Sequence, residues 1–169
     1  MGLQTIRRRR ITAKGVKPQG TVQHDYANCW VYGSIAPTTG ERFFLLLPTL
    51  DAKAMQTFVD EFAKAHASTF NLLLLDNSGA HTAKCLKLPE NVALVFQPPA
   101  SPELNPAERV WQDLKEQLAW LTFADLDALE RELVERLRAY DANTLSTLTR
   151  YPYLVQAIHL IQAIHVLCS

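Results

Sequence analysis

Two short, uninterrupted apolar runs constrain the fold of this chain more than any other feature of its sequence. The first, Phe70–Leu75, ends abruptly at Asp76. The second, Val92–Phe96, ends at a rigid, proline-rich segment over residues 97–102. Apolar runs of this length are typical of strands that are buried on both faces of a sheet. We therefore predict a mixed α/β layer that contains both strands.

The segments around these strands carry the signals of a hairpin and of helices. Two β-prone runs, Cys29–Ala36 and Arg42–Leu47, flank a turn cluster that contains Gly40, which predicts a hairpin. Apolar residues at helical spacing predict a helix of about four turns after Asp51. The same spacing predicts two or three helices in the C-terminal part of the chain, and the residues that carry it are Trp111, Leu114, Leu118, Leu121, Leu126, Leu129, Leu133, Leu137 and Tyr140.

The first of these later helices has a well-marked start. Asn105 is a good N-cap residue, Pro106 suits the first helical position, and Glu108 is placed to complete a capping box. Thr122 and Asp125 provide the signal for the start of the next helix. Glu108 therefore has a purely structural interpretation, as a partner of backbone N–H groups.

The charge is distributed unevenly, although the 169-residue chain has a formal net charge of zero. Residues 1–20 contain six basic residues and no acidic ones, and the remaining residues carry eleven basic and seventeen acidic groups. A basic arm thus precedes an acidic body, and such an arm is a natural contact for a polyanion such as DNA. A solvated, frayed terminus is the alternative interpretation. The residues of the arm that we consider candidates for DNA binding are Arg7, Arg8, Arg9, Arg10, Lys14 and Lys17.

Cysteine usage and hydropathy predict a cytoplasmic protein. The three cysteines are widely spaced, form no C-x-x-C pair and suggest neither a disulfide framework nor a thiolate zinc site. No signal-peptide pattern is present, and polar residues interrupt the apolar tail, so we expect no membrane contact.

Two carboxylates are the best candidates for chemistry. Asp76 follows a buried strand, and ligands of open α/β sheets collect at the carboxyl ends of strands. A turn formed with Asn77 is the alternative role of Asp76. Asp76 and Glu108 lie on separate rigid elements, which suits Mg²⁺, a cation that binds one or two carboxylates together with waters and phosphate oxygens. His81 could contact a phosphate or orient a water, although a lone histidine is more often only a satisfied polar side chain.

Two longer motifs closely resemble the catalytic domain of bacterial insertion sequence 630 transposases, which are relatives of the mariner elements. Residues 72–81 read LLLLDNSGAH, and residues 95–115 read VFQPPASPELNPAERVWQDLK. The second motif is highly specific, and the first would be weak alone. The resemblance extends from about Gly2 to Ile158 and includes parts of the early strands.

The resemblance implies a ribonuclease H-like fold, a mixed sheet flanked by helices, and a function in DNA transposition. Such domains use an Asp-Asp-Asp/Glu triad to hold two divalent cations, Mg²⁺ or Mn²⁺, that cut and rejoin phosphodiester bonds. By the matching motifs, Asp76 is the second carboxylate and Glu108 the third, with thirty-one residues between them. Asn77, His81 and Asn105 are expected to support them.

The resemblance also implies that this chain lacks part of the active site. The family's first catalytic aspartate lies on the central strand of the sheet, at a position that falls before Met1, and the helix-turn-helix region that recognises element ends is also absent. Unpaired strand edges would then favour aggregation or completion by an added strand. We expect weak metal binding, little or no nuclease activity, and partners that include DNA, the upstream transposase segment, full-length transposase or a second copy of this chain.

The sequence predicts three regions and leaves alternative functions open. The regions are a basic arm at residues 1–20, a partial ribonuclease H-like catalytic domain at 21–158 and an apolar tail at 159–169. The main alternative to a transposase fragment is a non-catalytic module that binds DNA or inhibits transposase. An α/β hydrolase is a weaker alternative because no nucleophile is obvious.

Overall fold

A computed structural model of the protein describes residues 1–9, 12–17, 20–76, 86–98 and 104–168, with side chains described as far as residue 163. The described residues form four strands and five helices. In chain order these are β1 (Trp30–Ile35), β2 (Arg42–Leu47), α1 (Ala52–Ala65), β3 (Asn71–Leu75), β4 (Val92–Phe96), α2 (Ala107–Gln117), α3 (Leu126–Ala139), α4 (Ala142–Thr149) and α5 (Pro152–Cys168).

The first sheet is the predicted hairpin. Strands β1 and β2 pair antiparallel, with Trp30 opposite Leu47 and Ile35 opposite Arg42. Gly40 closes the turn with a φ of 71°, in the left-handed region that favours glycine. A Cβ atom on Gly40 would also lie only 1.8 Å from the carbonyl oxygen of Ala142, so the turn packs tightly against the start of α4.

The second sheet consists of the two predicted apolar strands. Strands β3 and β4 pair in parallel, with Asn71 opposite Val92 and Leu75 opposite Phe96. Their carboxyl ends therefore lie at one edge of the sheet, which is the edge where Asp76 follows β3. The two sheets are not hydrogen-bonded to each other in the described part of the chain.

Helix α1 packs on one face of both sheets. Its N-cap is Asp51, whose carboxylate accepts a hydrogen bond from Ala54 N–H at 2.8 Å, and this bond lowers the pKa of Asp51. The apolar residues of α1 share a core with residues of all four strands. The buried members of this core are Tyr32, Ala54, Met55, Phe58, Val59, Phe62, Ala63, Leu73 and Val92.

A second core covers the opposite face of β1 and β2. Val31, Phe44 and Leu46 pack from the hairpin against helices α2, α3 and α4. Helix α3 begins at the predicted cap, where the Asp125 carboxylate accepts a bond from Ala128 N–H at 2.7 Å. The buried members of this core are Leu3, Cys29, Val110, Leu114, Leu118, Leu129, Leu133, Leu137, Tyr140 and Leu145.

The expectation that β3 and β4 are buried on both faces is wrong for the described residues. Leu73 packs on α1, but on the opposite face the side chains of Leu72 and Val95 are 48% and 45% exposed. Helices α2 to α4 pack on β1 and β2, so they leave this second face of β3 and β4 open. An apolar run alone does not reveal which of its faces is covered.

Helix α5 begins with proline at its first position, where the absent N–H costs no hydrogen bond. The helix runs without a break through residues 158 and 159, where the sequence predicts the apolar tail to begin. Among the described residues, no helix combines the length and the apolarity that crossing a bilayer requires.

Candidate metal and nucleic-acid site

Asp76 lies immediately after β3, at the carboxyl edge of the parallel sheet, and its side chain is half-buried. Leu75, the preceding residue, accepts a hydrogen bond at its carbonyl oxygen from Gln97 N–H at 2.8 Å. Gln97 directly follows β4. This bond extends the pairing of the two strands by one step, so the backbone directly before Asp76 is held in a regular sheet.

Gln97 also connects this edge of the sheet to helix α2. Its side chain is only 6% exposed, and Nε2 donates to the carbonyl oxygen of Leu104 at 2.8 Å. Leu104 precedes Asn105 and Pro106, which open α2. The hydrogen-bonded path from Leu75 through Gln97 to Leu104 therefore anchors the start of α2 at the edge that carries Asp76.

Glu108 lies in the first turn of α2 and is exposed. The structure places the N-cap at Pro106, one residue later than predicted, and Asn105 Oδ1 accepts a bond from Ala107 N–H at 3.1 Å. The Glu108 carboxylate forms no hydrogen bond within the described part of the chain, so the predicted capping box is not formed there. Within the described residues, the carboxylate of Glu108 therefore does not cap backbone N–H groups, which is the structural role that the sequence suggested.

A second bond reaches the carbonyl oxygen of Leu104, from the hydroxyl of Tyr153 at the start of α5. Burial raises the pKa of Tyr153 above its ordinary value. Nearby, the guanidinium carbon of Arg109 lies 5.1 Å from the centre of the Tyr151 ring, in a cation–π contact. The start of α2 is therefore attached to β4 on one side and to the start of α5 on the other.

The basic residues of the N-terminal segment are exposed. Arg7, Arg8 and Arg9 follow a segment in which Leu3 and Thr5 are buried. Lys14 lies in a turn that Val16 N–H closes by donating to Ala13 O at 3.0 Å, and Gly15 allows this turn with a φ of 86°. Lys17 follows this turn and is also exposed. Within the described ranges these basic side chains form no ion pair.

Several predicted site residues lie outside the described residues, namely Arg10, Asn77 and His81. The residues that the structure does describe contain no group of three or more His, Cys, Asp or Glu side chains that could hold a metal ion. Within the described residues, the candidate site consists of the sheet edge at Asp76 and the helix start at Glu108. The hydrogen bonds of Gln97 connect these two parts.

Gln97 is the residue that sequence analysis overlooked. In the sequence it is only the first residue of a proline-rich connection, and glutamine carries no motif signal of its own. The available clue was its place directly after an apolar run that predicts a strand, the same kind of position that singled out Asp76. A further feature is visible only in the structure, because Gln97 Oε1 is buried and has no hydrogen-bond partner among the described residues.

Comparison with known proteins gives a curated relative and several similar structures. The chain is 40% identical over 106 residues to the uncharacterized protein y4pE/y4sA of Sinorhizobium fredii (strain NBRC 101917 / NGR234), and the match covers 58% of this chain and 74% of that protein. A structure of the Mos1 transposase paired-end complex with left transposon end is similar with a TM-score of 0.68 at 16% identity, over 89% of this chain. The Mos1 strand transfer complex gives 0.67 at 17% identity.

The chain spans about half the length of these Mos1 structures, namely 48% of each. At such low identity the likeness shows the fold alone, and it confirms the predicted ribonuclease H-like mixed α/β fold. The sequence profile of the family described as DDE superfamily endonuclease matches residues 1–130. The predicted family is therefore confirmed, and this chain belongs to the DDE superfamily endonucleases.

Proposed function

We propose that this chain contributes Asp76 and Glu108 to a two-cation centre for phosphodiester cleavage and strand transfer in DNA transposition. The observation that carries the proposal is the hydrogen-bonded path from Leu75 through Gln97 to Leu104, which anchors the helix of Glu108 at the edge of Asp76. Membership of the DDE superfamily endonucleases supplies the class of chemistry.

The donor chemistry of the two residues suits Mg²⁺ or Mn²⁺. Both residues offer carboxylate oxygens, which hard divalent cations prefer, and the exposed Glu108 has its oxygens available. When bound, the cations would activate an attacking water or DNA 3′-hydroxyl and stabilise the leaving oxygen. One of the similar structures is a Mos1 mariner paired-end complex with Mn, which supports the choice of cation.

The described residues provide no third carboxylate close to these two. We propose that an upstream transposase segment or full-length transposase supplies the third carboxylate, and that the chain is inactive without this carboxylate. We also propose that the protein works in the cytoplasm. Asn77, His81 and Asn105 would support the two carboxylates. A homodimer is a further assembly to be tested.

DNA is the proposed partner. The similar Mos1 structures include a paired-end complex with a transposon end. On this chain the exposed basic residues of the N-terminal segment would contact phosphates, because they form no ion pair within the described ranges. We assign this role to Arg7, Arg8, Arg9, Arg10, Lys14 and Lys17.

A plasmid-nicking assay with the purified chain tests the proposal. With Mg²⁺ or Mn²⁺ the chain alone is expected to give no more cleavage than its Asp76→Ala variant, because the described residues offer no third carboxylate beside Asp76 and Glu108. Robust cleavage that disappears on Asp76→Ala would contradict the claim that the chain is inactive alone. The DNA upstream of the Met1 codon provides a second test, since we expect it to encode a β-prone run ending in aspartate.

The exposed basic segment favours one alternative, a non-catalytic module that binds DNA or inhibits transposase. Such a module would bind DNA without any requirement for metal, and its affinity would fall steeply with salt because phosphate contacts release counterions. Replacing Arg7, Arg8 and Arg9 by alanine should then abolish binding, whereas Asp76→Ala should leave it unchanged. Binding that requires Mg²⁺ and Asp76 would exclude this alternative.

A further inference from the structure

Asp76 and Gln97 follow neighbouring parallel strands at matching positions. Leu75 lies opposite Phe96 in the register of β3 and β4, so the next pair in that register is Asp76 and Gln97. The hydrogen bond from Gln97 N–H to Leu75 O continues the ladder as far as this pair. Strands of one sheet lie about 4.8 Å apart, so the two residues are direct neighbours at the edge of the sheet.

The side chains of Asp76 and Gln97 also lie on the same face of the sheet. Leu73 and Leu94 are opposite each other in the register, and both pack toward helix α1. Successive residues of a strand point to opposite faces. Asp76 comes three positions after Leu73 and Gln97 three positions after Leu94, so both belong to the face that points away from α1.

The side-chain amide of Gln97 has only one of its two ends bonded among the described residues. Nε2 must be the atom that faces the carbonyl oxygen of Leu104, because the reversed amide would place two acceptors against each other. Oε1 is therefore the other end, and it is buried without a hydrogen-bond partner in the described part of the chain. A buried acceptor of this kind requires an explanation, and a bound water or ion is a common one.

A water molecule bound to a divalent cation is the donor that suits this position. Mg²⁺ binds through one or two carboxylates, here beginning with Asp76, and keeps several of its waters. The cation polarises these waters, so they donate strongly to nearby acceptors of the protein, which in turn orient them. Gln97 Oε1 is a neutral acceptor directly beside the carboxylate position, so it fits such a water without adding charge to the site.

We propose that Gln97 is a positioning residue of the cation site, and that its Oε1 accepts a hydrogen bond from a water molecule bound to the divalent cation at Asp76. One planar amide would then connect the helix of Glu108, through Nε2, with the water shell of the cation, through Oε1. This inference rests on the proposed function, because it requires the cation to bind at Asp76.

Mn²⁺ titrations of the full chain, followed by electron paramagnetic resonance, test the inference. Gln97→Met removes the acceptor at nearly constant volume and is expected to weaken Mn²⁺ binding about tenfold, as the loss of an outer-shell partner does. Gln97→Glu keeps an acceptor oxygen but cannot donate to Leu104 O, and it is expected to bind Mn²⁺ at least as tightly as the unaltered chain. Near-ultraviolet circular dichroism would show that both variants are folded.

The matched control is Tyr153→Phe. This substitution removes the other hydrogen bond to Leu104 O and so loosens the same helix start, but it leaves Gln97 Oε1 in place. Its affinity for Mn²⁺ is expected to be unchanged. A loss as large as that of Gln97→Met would overturn the proposal, because the effect would then follow from the attachment of α2 alone.

Nuclear magnetic resonance provides a signature that a purely structural role of Gln97 would not produce. Saturating Mg²⁺ is expected to move the side-chain ¹⁵N resonance of Gln97 downfield, because a polarised donor at Oε1 withdraws electron density from the amide nitrogen. This movement should persist in Tyr153→Phe and disappear in Asp76→Asn. Gln56, whose amide donates to Lys87 O at 2.8 Å, is the reference and should not respond.

The possible outcomes separate this inference from the proposed function. Loss of Mn²⁺ binding in Asp76→Asn but not in Gln97→Met would overturn the inference alone. Unchanged binding in Asp76→Asn would contradict the proposed function and the inference with it. A Gln97 resonance that does not respond to Mg²⁺ would also overturn the inference, since the donor at Oε1 would then be independent of the cation.

Discussion

The two sheets of this protein differ in how they are covered. The β1–β2 sheet lies between α1 and the α2–α4 core, with Val110, Leu114 and Leu133 completely buried above it. The β3–β4 sheet has α1 on one face and exposes Leu72 and Val95 on the other. Packing energy is thus concentrated at the hairpin, whereas Asp76 extends from the open sheet. The residues that stabilise the fold are thus separate from the residues that we propose for catalysis.

The largest expected effect contrasts a buried leucine above the β1–β2 sheet with an exposed leucine of β3. Leu114→Ala removes a completely buried side chain above β1–β2 and should lower the free energy of unfolding by about 2–5 kcal/mol. Leu72→Ala, on the open face of β3, should change it by about 0.5 kcal/mol or less. Urea denaturation of both variants measures the difference. Equal losses would show that the second face of β3 is covered after all.

A smaller effect is expected from tight packing at Gly33 in β1. A Cβ atom there would lie 2.5 Å from Phe44 Cδ1 and 2.7 Å from the Trp111 ring. Gly33→Ala should therefore cost about 1–3 kcal/mol of stability, as expected for an overfilled core. In a Trp111→Leu background the same substitution should cost less, because one of the two rings is gone. An undiminished cost would show that Trp111 does not determine the fit.

The next effect concerns the attachment of α2 to the open sheet. Gln97→Met removes the bond to Leu104 O at nearly constant volume and should cost about 0.5–1.5 kcal/mol. It should also speed amide exchange at Glu108 and Arg109, in the first turn of α2. Gln112→Met, the same change at an exposed site of that helix, is the matched control and should leave those rates unchanged. Equal effects of the two substitutions would contradict the anchoring role of Gln97.

The smallest effect is a pH dependence at the edge of β1. Burial lowers the pKa of the Met1 ammonium group from 8.0, so the folded state disfavours its charged form. The free energy of unfolding should then be highest above pH 8 and should fall as the pH drops toward the lowered pKa. N-terminal acetylation keeps an N–H donor and removes the charge, so the acetylated chain should lack this component. Identical pH profiles of the two forms would contradict the buried position of the ammonium.

Sequence reasoning was most successful where structure is set by neighbouring residues. The strands, the helix at Asp51 and the cap at Asp125 follow from local periodicity and turn chemistry, and the structure confirms them. The highly specific motif at residues 95–115 likewise identified the family. The assignments of Asp76 and Glu108 to catalysis stay predictions.

Features that depend on distant segments were not predictable in this way. The open face of β3–β4 depends on where α2 to α4 pack, which no local pattern encodes. The hydrogen bonds of Gln97 and the pairing of Met1 with Cys29 likewise join residues that become neighbours only in the folded chain. The capping box predicted for Glu108 is the opposite case. The local sequence pattern is complete, but the described residues do not form the predicted side-chain hydrogen bond.

Binding of Mn²⁺ tests the central claim most directly, namely that Asp76 and Glu108 serve one cation site at the edge of the open sheet. Electron paramagnetic resonance titrations would compare the chain with Asp76→Asn, Glu108→Gln and the double variant, with Glu116→Gln as the matched control on α2. We predict that each single substitution abolishes the weak Mn²⁺ binding, that the double variant loses nothing further, and that the control binds normally. Additive losses, or unchanged binding by Glu108→Gln, would contradict a shared site.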